Sequence, residues 1–178
     1  ASDATTPSVG SALATAVASG GLVVREAGDV EQALRMSSRV LDVEYALPYL
    51  AHATMEPMGC VASVEGDRCT VWAPTQGPTV AHKAAAAAAG VPPANVQVHR
   101  MFIGGGFGRR FETDFVTQAV QVSRAVGRPV KLLWSREEDM THDFYRPAAR
   151  LRYRAGLAAD GALVAVDVVG ASGSILAR

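Results

Sequence analysis

The sequence predicts an α+β fold: a mixed sheet with helices packed on one face, built as a β-β-α-β-α-β core with a hairpin after it. Three observations predict it. Cys60–Ala73 and Arg150–Gly170 each read as paired alternating strands around a short polar turn. Between them, Pro78–Ala89 and Thr113–Val126 carry helix start and stop signals. A short strand pattern follows each helix, at Val96–Met101 and at Val130–Trp134.

In chain order, residues 1–27 are expected to form a flexible N-terminal arm and residues 28–178 the folded body. Ala1–Gly21 is rich in Ala, Ser, Thr and Gly and nearly free of charge; Ser11–Ala18 within it reads as a weak helix. Asp29-Val30-Glu31-Gln32 has the capping-box form, which starts a short helix from Val30 to about Ser37. Val40–Leu47 reads as a strand stopped by Pro48. Cys60–Val64 and Cys69–Ala73 are the strands of the first hairpin, turning at Glu65-Gly66-Asp67-Arg68. With Gly66-Asp67 as the two-residue loop, Val64 faces Cys69 and Ala73 faces Cys60. The two thiols are then about four positions out of register, too far for a disulfide, and they lack the spacing of a zinc site.

Pro78 suits the first turn of a helix, and Gly90 with Pro92 and Pro93 ends it. Its many alanines allow close packing on a sheet. Phe115, Val116, Ala119, Val120 and Val126 give the next helix an apolar side, and Gly127 and Pro129 stop it. Ser135–Asp139 reads as one helical turn capped by Ser135, with Glu137, Glu138 and Asp139 on a solvated face or in cap contacts. Arg150–Ala155 and Ala162–Gly170 flank the turn Ala159-Asp160-Gly161.

About half of the 178 residues are apolar, enough for a sizeable core in one domain. Lys+Arg and Asp+Glu both number 17. That balance argues against a nucleic-acid or membrane-surface partner. The longest weakly polar stretch, Ala81–Val91, contains His82 and Lys83 and is too short to span a bilayer. No basic region followed by an apolar run marks a secretory leader within these residues.

The stretch with the clearest chemistry is Ile103-Gly104-Gly105-Gly106-Phe107-Gly108-Arg109-Arg110, between a strand and a helix. Glycine loses the most backbone entropy on ordering, so such a run serves where the backbone takes positive φ or approaches something closely. Outward N–H groups at a loop-to-helix junction suit an anion, and the two arginines add donors that suit phosphate. The other reading is a tight turn with solvated arginines. Thr75-Gln76 also follows a strand and precedes a helix, so the two loops are expected to meet at one end of the sheet, where ligands of layered folds sit. His52 and Glu56 are four apart, as two metal ligands on a helical face would be; a buried histidine in a connecting loop is the plainer reading. His142-Asp143 with Ser135 lacks the context of a catalytic triad and reads as a polar loop.

Four motifs in order carry a family resemblance: Tyr49-Leu50-Ala51-His52-Ala53-Thr54-Met55-Glu56-Pro57, Trp72-Ala73-Pro74-Thr75-Gln76, Gly104–Arg110, and Trp134–Pro147. Over about Gly28–Ser174 the chain resembles the molybdenum-cofactor-binding large subunit of the xanthine dehydrogenase and aldehyde oxidase family, in particular the isoquinoline 1-oxidoreductase beta-subunit branch. The resemblance implies a hydroxylase that oxidises a carbon beside a ring nitrogen, or an aldehyde, with oxygen from water. It implies molybdenum held by a pterin dithiolene, in the cytosine dinucleotide form in that branch, and a separate small subunit carrying [2Fe–2S] clusters. Protein side chains do not ligate the metal in this family. By the same resemblance Gln76 reaches an oxo ligand, and Gly104, Gly105, Gly106, Phe107, Gly108 and Arg109 lie on the cofactor.

Two departures qualify it. Phe111 stands where the xanthine dehydrogenase branch has a substrate-binding glutamate, with Glu112 displaced by one, which disfavours a purine. The family's glutamate base lies near the C-terminus of a far longer subunit, and its Gly-rich motif is absent from these 178 residues. The chain is therefore expected to be a fragment, inactive alone, that holds no catalytic residue and packs on the remainder of the large subunit. The alternative functions are a stand-alone phosphate- or nucleotide-binding module and a structural interaction domain.

Overall fold

The structure, a computed structural model, describes residues 5–175. In chain order its elements are α1 (Thr6–Ser19), α2 (Val30–Met36), β1 (Arg39–Leu47), β2 (Gly59–Glu65), β3 (Arg68–Ala73), α3 (Pro78–Ala89), β4 (Val96–Arg100), α4 (Asp114–Val126), β5 (Val130–Leu133), α5 (Arg136–Thr141), β6 (Ala149–Leu157) and β7 (Leu163–Ser172). They fall into two compact units. The central unit is Ala51–Tyr145; the terminal unit is made from residues up to Leu50 and from Arg146 onward.

The central unit has the expected β-β-α-β-α-β order. Its sheet runs β4-β3-β2-β5, with β3 and β4 parallel and the other pairs antiparallel. One face of β2 and β3 buries Cys60, Ala62, Val64, Cys69, Val71 and Ala73. Against it lie Ala81, Ala85 and Ala89 of α3 and Phe115, Val116, Ala119 and Val120 of α4. Small side chains on α3 let the helix approach the strands closely. Gly90 and Gly127 end the two helices in the left-handed conformation. In the hairpin Val64 pairs with Cys69, and Gly66 takes φ +59°. The cysteines are free and buried, and burial pushes the Cys60 thiol up to about 12.

The terminal unit holds a three-stranded antiparallel sheet, β1-β6-β7. The β6–β7 hairpin is the one the sequence predicts. Its third strand, β1, pairs with β6 from Arg39↔Leu157 to Leu47↔Ala149, a partnership that no local signal announces. Asp42, Glu44, Arg150, Arg152, Arg154 and Asp167 share one face of this sheet. Leu41, Val43, Tyr45, Tyr153, Val166 and Val168 share the other and are exposed. α1 is longer than the Ser11–Ala18 expected. Thr5 and Ser8 cap each other reciprocally and Pro7 sits in the first turn, so the helix starts earlier. No helix among the described residues is long and apolar enough to cross a membrane.

Candidate cofactor-binding site

The loop between β4 and α4 is shaped by left-handed residues: Gly105 at φ +94°, Phe107 at +54° and Gly108 at +108°. Phe107 is a non-glycine residue in that region, which costs conformational energy and needs surrounding structure to hold it. The hold comes first from a short 3₁₀ turn, in which Arg109 N donates to Gly106 O (2.9 Å) and Phe111 N to Gly108 O (3.0 Å).

Arg110 anchors the loop from inside. Its side chain is fully buried. Nε donates to Gly105 O (2.6 Å), and Nη2 donates to Glu56 O (2.6 Å) and Glu56 Oε2 (2.8 Å). The same Oε2 accepts from Gly104 N (2.8 Å), while Glu56 N donates to Gly104 O (3.1 Å). The segment that contains Glu56 is thereby zipped onto the loop. This explains Gly104: a Cβ there would lie 2.6 Å from Glu56 Cβ. Burial lowers the Arg110 pKa, with Glu56 and Asp139 acting in opposition.

Gln76 meets the loop from the end of β3. Its backbone N–H and the Thr75 hydroxyl both donate to Arg110 O (3.0 and 3.1 Å). Its side-chain Oε1 accepts from Gly108 N (3.0 Å). A Cβ at Gly106 would lie 2.5 Å from that oxygen, so a side chain there would push the Gln76 amide out of its place. With the carbonyl end committed, the Gln76 amide is oriented with its NH₂ as the remaining donor. That NH₂ and the backbone N–H groups of Gly105, Gly106 and Phe107 make no hydrogen bond among the described residues.

Arg109, read from the sequence as a cofactor contact, turns inward and is only 1% exposed. It makes a bidentate pair with Asp114 (2.9 and 2.7 Å), and its guanidinium lies 5.3 Å from the ring centres of both Trp134 and Phe144. Nε is 3.0 Å from Asp143 Oδ1, though its N–H is not aimed along that line. The buried Asp143 side chain also accepts from His52 Nδ1 at 3.0 Å and from the His52 backbone N–H. His52 and Glu56, spaced like a ligand pair, thus serve separate internal partners. Asp143 pairs with His52 rather than standing beside His142 in a catalytic group. Asp139, expected on a solvated face or in cap contacts, is buried and paired with Arg136 (2.6 Å), which also holds Met55 O (3.1 Å). Among the described residues no three His, Cys, Asp or Glu side chains gather closely enough to hold a metal ion.

The loop is braced from behind by buried arginines, and the donors left over, from the backbone and from Gln76, are of the kind that an acceptor-rich group can use. Residues 16–173 match the family described as the molybdopterin cofactor-binding domain, and the chain belongs to that family. It is 35% identical over 146 residues to isoquinoline 1-oxidoreductase subunit beta of Brevundimonas diminuta, which covers 81% of this chain and 19% of that one. It is 30% identical over 152 residues to the aldehyde oxidoreductase molybdenum-binding subunit PaoC of Escherichia coli K12, covering 85% and 21%. Among solved structures, quinoline 2-oxidoreductase of Pseudomonas putida 86 shares the fold at a TM-score of 0.62 and 23% identity, over 79% of this chain and 18% of that one. The chain therefore spans about a fifth of the length of these relatives.

Proposed function

We propose that this chain is the cofactor-binding segment of a molybdenum hydroxylase large subunit, and that it lays Gln76 and the loop Gly104–Gly108 on the cofactor. The enzyme it serves oxidises an N-heteroaromatic ring carbon of the isoquinoline kind, or an aldehyde, with water as the oxygen source. The observation that carries this reading is the set of leftover donors: the Gln76 NH₂ and the N–H groups of Gly105, Gly106 and Phe107, without internal partners among the described residues. Such a set fits a group that brings its own metal ligands and presents oxygen acceptors to the protein. When bound, that group supplies the two-electron oxidation and the activated oxygen. The chain's part is to bind and orient: Gly108 fixes Gln76 Oε1, and Glu56 with Arg110 fixes the loop. Arg109 enters the proposal as the loop's internal anchor. The pterin is proposed to be the cytosine dinucleotide, and the electron acceptor an iron–sulfur small subunit. The catalytic base is proposed to lie outside this segment, which is proposed to be inactive alone.

The test is elemental analysis of the native, full-length protein purified with whatever accompanies it, with release of the nucleotide by acid. The reading expects about one molybdenum per large chain, about four irons from a small partner, and CMP in the hydrolysate. Absence of molybdenum in cells that make the cofactor would leave a glycine-loop anion-binding module as the better account.

A further inference from the structure

His52, Arg109 and Asp143 form a buried cluster, and the proposed function gives no part to its histidine and carboxylate. The Asp143 side chain is 2% exposed and that of His52 9%. A carboxylate so deeply buried needs compensation from every side. Here it accepts from two donors, the His52 backbone N–H and the His52 Nδ1–H at 3.0 Å, and it faces the charge of Arg109, whose Nε lies 3.0 Å away without a hydrogen bond along that line. These groups come from two separate segments, one before β2 and one inside the glycine loop.

The far side of the imidazole completes the connection. Nε2 of His52 lies beside Gly108, 3.6 Å from where a Cβ would sit. Gly108 in turn donates to Gln76 Oε1 at 3.0 Å. Arg109, the next residue, is gripped by Asp114 and lies beside Asp143. One carboxylate thus acts on both sides of the Gly108–Arg109 peptide: through the histidine ring on Gly108, and directly on the Arg109 guanidinium.

We propose that Asp143 is the positioning residue of the glycine loop, acting through His52 and Arg109 to hold Gly108 and Gln76 in place. What the loop is held for rests on the proposed cofactor site; that it is held this way does not. The carboxylate also selects the histidine tautomer. Nδ1 carries the hydrogen, so in the neutral ring Nε2 is bare and sits against Gly108 without a second proton. An asparagine at 143 has one acceptor oxygen and no charge to set against Arg109. Turned one way its NH₂ meets the His52 backbone N–H, and turned the other way it lies against the Arg109 guanidinium, so the cluster must rearrange.

The experiment uses the full chain, with Asp143→Asn and His52→Asn compared with the wild type. Asparagine at 52 keeps a donor near the Nδ1 position and removes the ring from Gly108. Nitrogen-15 spectra of labelled histidine read the tautomer, and amide hydrogen exchange reads each segment. The wild type is expected to show His52 as the Nδ1–H tautomer. In Asp143→Asn the Nδ1–H signal is lost, and exchange across Gly104–Phe111 rises about tenfold while β2 and β3 keep their protection. His52→Asn gives the same local rise and, combined with Asp143→Asn, adds little to it. An Nε2–H tautomer in the wild type overturns the proposal. So does loop exchange unchanged in His52→Asn, or a uniform rise across the whole central unit in both variants, which is the mark of a merely structural residue. If Asp143→Asn does not fold, His52→Asn and the wild-type tautomer decide. These readouts need no cofactor, so a protein without molybdenum would defeat the cofactor reading and leave this one intact.

Discussion

In the central unit, Arg109 and Arg110 lie inside, each 1% exposed or less, and donate to carbonyls and carboxylates of the loops around them and of the start of α4. In the terminal unit, Arg150, Arg152 and Arg154 run along one face of a sheet and pair with Glu44, Asp42, Glu31 and Asp167 in partial contact with solvent. The chemistry is the same and the consequence differs. A buried guanidinium has no water to fall back on, so its partners are fixed in number and place, and it can set the shape of a loop. An exposed pair competes with water and salt and contributes little. Arg109 and Arg110 therefore shape a loop, whereas Arg150, Arg152 and Arg154 decorate a sheet.

Replacing Arg110 should test this contrast hardest. Arg110→Ala strips partners from Gly105 O, Glu56 O and Glu56 Oε2 and empties a fully buried volume. A loss of about 3 kcal/mol or more is expected. Both tryptophans, Trp72 and Trp134, lie in the central unit, so urea unfolding followed by their fluorescence reads that unit directly. A loss below about 1 kcal/mol would mean that water replaces the guanidinium and that the buried anchor is unimportant.

Glycines sharpen the same comparison. At Gly104 an alanine Cβ would lie 2.6 Å from Glu56 Cβ, an atom close to the backbone that cannot swing away. Gly104→Ala should cost about 1–3 kcal/mol by the same fluorescence assay, as overpacking does. In the terminal unit, Gly10 lies inside α1 with nothing within 4 Å of a Cβ. Gly10→Ala should stabilise α1 by about 0.5–1 kcal/mol, seen as greater helical circular dichroism and slower amide exchange in that helix. The first glycine is required by its neighbours; the second only weakens its helix.

The parts of this picture that sequence reveals are those with local causes. Asp29, Gly90, Gly127 and Ser135 mark helix ends by their own backbone chemistry, and the structure places caps at each. The Val64–Cys69 register follows from a two-residue turn. Even the meeting of Gln76 with the glycine loop follows, since both follow strands that are neighbours in the sheet. The pairing of β1 with β6 was hidden, because alternation names a strand and never its partner. Burial of Arg109 and Arg110 was hidden for a different reason. Arginine is nearly always at the surface unless paired, and the partners lie elsewhere: Glu56 and Asp143 are in other segments, and only Asp114 is close by in sequence. Asp143 stands next to His142 in sequence, yet its partner is a histidine 91 positions away.

The smallest expected effect belongs to the exposed arginines, and its pH dependence carries the argument. The Arg154 guanidinium hydrogen-bonded to Glu31 holds that carboxyl below the usual glutamate range, and Arg152 does the same to Asp42. A carboxylate whose folded pKa is depressed contributes stability that is fully present above its unfolded value and is lost as pH falls through the folded one. The pairs should therefore hold the terminal sheet at neutral pH and release it in acid, below the ordinary carboxylate range. Because they are exposed, the sum is small: Arg154→Gln should lower the melting temperature by about a degree or two at low salt. About 0.5 M salt should erase that difference and leave the Arg110→Ala loss in place. Calorimetry of both variants at two salt concentrations makes the comparison, and a salt-resistant loss in Arg154→Gln would move the terminal face from decoration to structure.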